Sequence, residues 1–574
     1  MAELIYLCER DSHSSRYSDE DFSSIAERIT PTNAPSRVEI VRSNGIIYCL
    51  INSSGTIPTA SNSVCLGQMI PPEKNWDQPK GPIPDGNYGI VRGSKDTIEL
   101  VSDMTGSRTI YYCLRDDLFI ASSSQRAIMH FMDSFVPNES AIPWMISSGS
   151  LGPCESWDQR INALPADSCV QLDRQDWEVT MTNGTTWKPF TPKDRSKEYH
   201  LNQLDEAITD TFSNLQLDFP SWHITLSGGV DSREILRRLH SQSGITTGTR
   251  TGVEAISMSN TDPSIAEDLA DAYEIPHRFY LTPAEPTDVE NVFDRMVTLS
   301  EGRVATVPRM ADGFAEYAQL ATNGIKGVIR GDEGFGWTAV GSVDDVRRVV
   351  GGEMLSDYDS IPPIPGEESQ IWPNQYNRYD DESLPMWRDR LYHSYRGPTY
   401  LAAWNSLKTP YIEVVNPLMT RRVLNTVREM PDNFRTEKQL FREYVLENSA
   451  DIPEATNSGS NLMTFLDSQR SRDFLKTELD TDHARSILGE EIIKYTISKI
   501  TYDNKRGSDI DTISIDMIKK KVGRHLPSKF NQMVLAHTPL TRPDPTQVHS
   551  MHLAVRLYTI QSIFGKMKND ADEI

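Results

Sequence analysis

Apolar positions along the chain change their period once, near residue 190. Before that point they come in short runs closed by turn residues: Gly45-Ile46-Ile47-Tyr48-Cys49-Leu50-Ile51, Tyr88-Gly89-Ile90-Val91, Ile98-Glu99-Leu100-Val101 and Ile110-Tyr111-Tyr112-Cys113-Leu114. Such runs predict β-strands and a sheet-rich first domain over 1–190. Lys188-Pro189-Phe190-Thr191-Pro192-Lys193-Asp194 is polar and carries two prolines, which places the linker there. Beyond it, strands alternate with helical periods. Leu201, Leu204, Ile208 and Phe212 make a helix stripe, and His223-Ile224-Thr225-Leu226 reads as a strand. A helix over Arg233–His240, a strand at Ala255-Ile256-Ser257-Met258, a helix over Ser264–Tyr273 and a strand at Gly327-Val328-Ile329 follow. That alternation predicts a parallel sheet covered by helices, hence an α/β second domain over 196–574. Leu553, Leu557, Ile560 and Phe564 predict a final helix ending at Gly565. The stretch 342–398 contains Pro362-Pro363-Ile364-Pro365 and reads as an irregular insertion, a lid or a surface elaboration.

Composition narrows the function classes. Against 58 Lys+Arg stand 81 Asp+Glu, a net charge of −23, and no basic run interrupts it. Such a field repels phosphate backbones, so nucleic acid is not an expected partner. No stretch reaches the roughly 18 apolar residues of a membrane span, and the N-terminus lacks the pattern of a leader, so the expected location is cytoplasmic and away from membranes. Cys8, Cys49, Cys65, Cys113, Cys154 and Cys169 include no Cys-x-x-Cys pair and read as buried thiols.

Chemistry concentrates at Ser227-Gly228-Gly229-Val230-Asp231-Ser232, between a predicted strand and a predicted helix. Glycines let bare backbone N–H groups approach an anion at the positive helix end. The hydroxyls of Ser227 and Ser232 can donate to phosphate oxygens. Asp231 tolerates phosphate only across a cation, which points to Mg²⁺. No Gly-x-x-x-x-Gly-Lys-Ser/Thr loop occurs, so γ-phosphate transfer has no support. The strand Gly327–Ile329 runs into Arg330-Gly331-Asp332-Glu333-Gly334-Phe335-Gly336-Trp337. In an open parallel sheet Asp332 and Glu333 would face Asp231 across a bound triphosphate and share Mg²⁺ with it.

These two stretches resemble the synthetase half of the asparagine synthetase family, which includes glutamine-dependent asparagine synthetases, β-lactam synthetases and lasso peptide cyclases. The family's Ser-Gly-Gly-x-Asp-Ser is matched by 227–232, and its Gly-Ser-Asp-Glu-x-Phe-Gly-Gly imperfectly by 331–337. Between them, Ser257-Met258-Ser259, Asp262, Ala266, Ala270 and His277 are similar to its adenosine-binding strand and following pattern. Glu413-Val414-Val415-Asn416-Pro417-Leu418 resembles its Glu-x-Arg-x-Pro-Phe, and Lys438-Gln439-Leu440-Phe441-Arg442 its Lys-x-x-x-Arg helix. In the first domain, 103–112, 118–123, Ile161–Ala166 and Trp187 resemble the family's amidohydrolase domain.

The resemblance implies an N-terminal-nucleophile (Ntn) hydrolase-like β-sandwich followed by an ATP-pyrophosphatase (PP-loop, HUP-like) synthetase domain. It implies ATP and Mg²⁺ as cofactors, and a carboxylate adenylated and then joined to an amine. ATP would be held by Ser227, Gly228, Gly229, Asp231, Ser232, Ser257, Met258 and Gly331, and the metal by Asp231, Asp332 and Glu333. The family's glutaminase needs a cysteine after Met1, where this chain has Ala2, and its Arg-Gly-Pro-Asp stretch is missing. Cys8 lies inside a strand-like run and cannot substitute. The amine is then free ammonia or part of a small-molecule or peptide substrate, as in ring closure, with a peptide-delivering or protease partner in the second case. Ile329 replaces a usual Glu or Tyr, and Thr456–Ser460 replaces a stretch that supplies a Lys. Lys438, Arg330 and Arg442 are the available cations, and Lys438, Glu413 and Arg442 the expected catalytic groups, with Lys438 and Arg442 sharing one helical face. A catalytically dead nucleotide-binding scaffold is the competing class. A nucleic-acid thiolating enzyme is disfavoured by the charge and the lack of paired cysteines.

Overall fold

A computed structural model describes residues 3–10, 16–53, 55–184, 186, 188–282, 288–305, 314–332, 338–457, 463–509 and 546–572. The chain is α/β, with antiparallel sheets first and a parallel sheet later. The strands are β1 (Glu3–Glu9), β2 (Val38–Ser43), β3 (Ile46–Ile51), β4 (Thr59–Ala60), β5 (Ser63–Met69), β6 (Gly86–Gly93), β7 (Thr97–Ser102), β8 (Tyr111–Leu114), β9 (Leu118–Ser122), β10 (Asn162–Ala163), β11 (Ser168–Asp173) and β12 (Glu178–Asn183). They form two six-stranded sheets, ordered β10-β8-β9-β1-β3-β2 and β12-β11-β7-β6-β5-β4.

The runs in β1 and β3 are continuously apolar because both faces of their sheet are covered. On β1, Leu4, Tyr6 and Cys8 point into the space between the two sheets, where Leu66, Val91, Leu100 and Val170 meet them. Ile5 and Leu7 point the other way, into a helical layer. That layer draws on both halves of the chain: the helices Asp19–Ile29 and Gln125–Met129 pack with Val289–Ser300, Gln469–Leu479 and Ser550–Asp572 in one core. Arg126 and Asp570 lock it with an ion pair at 2.7 Å. The last helix does not stop at Gly565 but runs on to Asp572, because Met567 and Ala571 are still buried in this core.

The linker is coil, as its prolines require, but pinned: Thr191 and Lys193 N–H donate to the carbonyls of Arg428 and Glu429. Phe190 lies under the Arg428 and Arg435 guanidinium groups. After it come β13 (Trp222–Thr225), β14 (Thr246–Thr251), β15 (His277–Leu281), β16 (Gly327–Ile329) and β17 (Glu413–Val415). They make an all-parallel sheet ordered β15-β14-β13-β16-β17. Ile224, Ile329 and Val415 face one helical layer with Leu204, Ile235 and Leu269. Val328 and Val414 face the other with Tyr317 and Leu320.

Two further sequence expectations are corrected. The strand beside β13 is Thr246–Thr251, whose Thr-Thr-Gly-Thr-Arg-Thr carries no apolar run, while Val253–Ile256 is a short helix followed by a turn. The insertion 342–398 is more regular than its prolines suggested. It holds the helices Val343–Val350 and Leu384–Leu391, and the latter continues as a π-helix over Tyr392–Leu401. Among the described residues, no helix is long and apolar enough to cross a membrane.

Candidate functional site

The strand order reverses between β13 and β16: from β13 the chain builds outward through β14 and β15, then returns to the other side of β13 for β16 and β17. At such a switch point the loops leaving the carboxyl ends of two neighbouring strands diverge and open a crevice. The loops that leave β13 and β16 are the two singled out in the sequence. They touch: a Cβ on Gly331 would lie 2.7 Å from Asp231 Cβ, so only glycine allows this approach.

The first loop is braced from within. Ser227 N–H donates to Ser232 Oγ at 3.0 Å, the two hydroxyl oxygens lie 3.1 Å apart, and Gly228 N–H donates to Asp262 Oδ1 at 3.1 Å. Burial raises the Asp262 pKa above its ordinary value, and the Gly228 bond only partly opposes this. Behind the loop, Ala455 N–H donates to the Gly228 carbonyl, and buried Arg233 donates to the carbonyls of Ile452 and Pro453. Gly228 is thus enclosed, a Cβ there meeting Ala455 Cβ at 2.4 Å. Gly229 is open, its nearest neighbour being Ser227 Oγ at 3.6 Å. Gly229 is also the N-cap of the helix Val230–Leu239, which carries Asp231 in its first turn. Braced glycines at a helix N-terminus whose outer side is open form a cradle for an anion.

Lys438 comes to this cradle from far along the chain: its Nζ donates to Asp231 Oδ2 at 2.6 Å. Their side chains are 11% and 16% exposed, so the pair is neither buried nor freely solvated. Glu437 and Lys438 both adopt left-handed backbone, φ 55° and 56°, immediately before the helix Gln439–Asn448. Two successive non-glycine residues there cost of order 1–2 kcal/mol each, strain of the kind that collects at functional sites. Lys438 therefore precedes that helix rather than sharing a face with Arg442, which turns to Glu454 at 2.6 Å. The two cations do not converge.

Asp332 lies 3.2 Å from the Arg330 guanidinium. Burial works against the Arg330 charge, but the Asp332 carboxylate holds its pKa above the ordinary value. Glu413 is not at the loop. It is buried at the amino end of β17 in an ion pair with Arg108, which fastens the turn before β8 to the parallel sheet. Ser257 and Met258 lie beyond β14 in a turn: Ser257 Oγ donates to the Glu254 carbonyl, and Met258 is 43% exposed. Glu333 and Trp187 lie outside the described residues. Cys8 is fully buried, and burial raises its thiol to about 11.

One residue was legible only through the family pattern, and one escaped the sequence altogether. Asp262, at the start of the helix Asp262–Ala272, takes the Gly228 N–H, a contact that the pattern did not specify. Lys408, 1% exposed, feels both Arg330 and Asp332, and burial holds its pKa well below the ordinary value. Nothing in its local sequence signals this. Among the described residues, no group of three His, Cys, Asp or Glu side chains could hold a metal ion. No protein-family model matches the chain, and no curated protein matches it.

Proposed function

We propose that the chain is an ATP-dependent, AMP-forming carbon–nitrogen ligase of asparagine synthetase type, an Ntn-like domain without its nucleophile joined to a PP-loop synthetase domain. The observation that carries this reading is the braced Ser227–Ser232 loop at the switch point, with Gly331 against Asp231 and Lys438 reaching in. The donor set fits Mg²⁺ bound with a nucleotide: Mg²⁺ takes one or two carboxylates and completes its shell with phosphate oxygens and water, so Asp231 and Asp332 suffice without a third protein acid. When bound, Mg²⁺ neutralises charge on the phosphates. Each of those carboxylates carries a cation partner in this structure, Lys438 and Arg330, which the metal would displace or join.

In this reading the N–H of the open Gly229 and the hydroxyls of Ser227 and Ser232 hold the β- and γ-phosphates of ATP, while the Gly228 N–H stays on Asp262 as part of the brace. A substrate carboxylate oxygen attacks the α-phosphorus, the bond to the β-phosphate oxygen breaks, and pyrophosphate remains in the loop. An amine then attacks the acyl carbon and AMP leaves with the electron pair of the broken C–O bond, the amine proton passing to solvent or a base. Positioning and charge neutralisation supply most of such catalysis, and Lys438 is the cation aimed at the developing negative charge. The enzyme takes a small-molecule or peptide carboxylate, and the amine is the substrate's own or free ammonia. The test is incubation with ATP, Mg²⁺ and pools of acids while AMP and pyrophosphate are measured. Tight ATP binding with no turnover of any pool would favour the scaffold reading.

A further inference from the structure

A cavity of about 420 Å³ lies away from both loops, where the antiparallel sheets meet the insertion. One wall is Tyr111, Leu151 and Leu164; the other is Tyr376, Ser394 and Pro398 from the insertion. The insertion wall is held in shape by Arg390, which bridges both Glu382 carboxylate oxygens and the carbonyls of Gln375 and Asn377 and lies 4.1 Å from the Tyr379 ring centroid. The volume is that of small-molecule sites, and a preformed wall lowers the ordering cost of binding.

Arg303 also lines this cavity and is 6% exposed. Among the described residues, its guanidinium donates only to neutral oxygens: Ser406 Oγ at 3.0 Å, Thr109 Oγ1 at 2.6 Å and the Pro398 carbonyl at 3.3 Å. No carboxylate among the described residues lies within ion-pair distance of it, and Glu3 acts on it only at longer range. The two acids on the cavity wall are committed elsewhere, Asp167 to the N–H and hydroxyl of Thr186 and Glu155 to the Ala163 N–H. A buried guanidinium with no adjacent counter-charge among the described residues is costly, and an anion entering beside it lowers that cost. Tyr111 adds to this: its ring centroid is 5.8 Å from Arg303, and its buried hydroxyl has no partner among the described residues.

We propose that this cavity is a binding site for a small carboxylic acid with an apolar or aromatic body, its carboxylate at Arg303 and its body between Leu151, Leu164, Pro398 and the Tyr376 ring. The site is separate from the adenylating loop and stands or falls independently of it. The test is calorimetric titration of the full chain, without nucleotide, with isovalerate, benzoate and 3-phenylpropionate and with the amide of each. At least one acid binds with a Kd below about 1 mM, its amide binds at least tenfold more weakly, and Arg303→Gln removes the difference. Ser394→Trp, which fills the cavity from a half-buried wall position, abolishes binding and keeps the test decisive where Arg303→Gln fails to fold. No binding by any acid, equal binding of acid and amide, or unchanged binding to Ser394→Trp overturns the proposal.

Discussion

Replacing Lys438 by Met separates a working cation from a mere brace for Asp231. The ammonium lies 2.6 Å from Asp231 Oδ2. At an effective dielectric of about 20, that pair attracts with roughly 6 kcal/mol, most of which desolvation and the residual 11–16% exposure take back. The net cost of leaving Asp231 without this partner is then about 1–3 kcal/mol in folding stability. If Lys438 also meets the charge that builds as pyrophosphate leaves, the same substitution removes a preorganised donor, a loss of at least about tenfold and up to 10³-fold in rate. ATP affinity should change little, because that charge develops along the reaction path rather than in the ground state. The assay pairs initial rates of AMP formation at saturating ATP with calorimetric ATP binding and urea unfolding, for Lys438→Met, Asp231→Asn and the double variant. Rate loss with near-parental ATP affinity supports the argument. Parental rates in a variant that is merely less stable would refute it and make Lys438 a brace.

Asp231→Asn and Asp332→Asn should each abolish Mg²⁺-dependent turnover and leave the circular dichroism spectrum unchanged; undiminished ATP consumption in either removes the metal assignment. Gly229→Ala should fold normally, since its Cβ meets nothing closer than Ser227 Oγ at 3.6 Å, yet weaken ATP binding at least tenfold by holding phosphate away from the backbone, as calorimetry would reveal. Glutamine should yield no glutamate above a heat-killed control, and Ala2→Cys should not change this. His223 and His277 are held neutral by burial, with pKa values lowered to about 3 and about 4. The unfolded chain binds those protons near pH 6.5, so stability is fully present above that pH and falls as pH drops toward 4, by up to about 1.4 kcal/mol per pH unit for each histidine. His223→Gln should flatten the urea-midpoint profile between pH 6.5 and 4, and an unchanged slope would refute the assignment.

What the sequence made legible follows from how local each signal is. The 227–232 loop was readable because its glycines, the apolar run before it and the helical period after it all sit within twenty residues, and β13 and the helix Val230–Leu239 form there. β14 was missed because a central strand made of threonine, glycine and arginine shows no apolar run. Its Thr246 and Thr247 hydroxyls instead meet the His223 and His277 rings. The apolar Ala255-Ile256 nearby drew the strand assignment to a helical turn. Gly565 did not end the last helix, since burial against the N-terminal half outweighs the roughly 1 kcal/mol cost of a glycine there. At the site, Asp231 and Gly331 were readable from motif and topology. The partners that matter most, Lys438 for Asp231 and Arg108 for Glu413, are set by contacts 207 residues apart in the first case and between the two halves of the chain in the second. Spacing along a helix misassigned Lys438 to the same face as Arg442 because the backbone turns left-handed at Glu437 and Lys438.

The most direct measurement is product analysis after incubation of the protein with Mg²⁺, α-³²P-labelled ATP and pools of small-molecule and peptide carboxylates. The account predicts labelled AMP with unlabelled pyrophosphate in equal amounts, dependent on one pool and lost in Asp231→Asn. Labelled ADP in place of AMP, or ATP consumption that Asp231→Asn leaves intact, would contradict it.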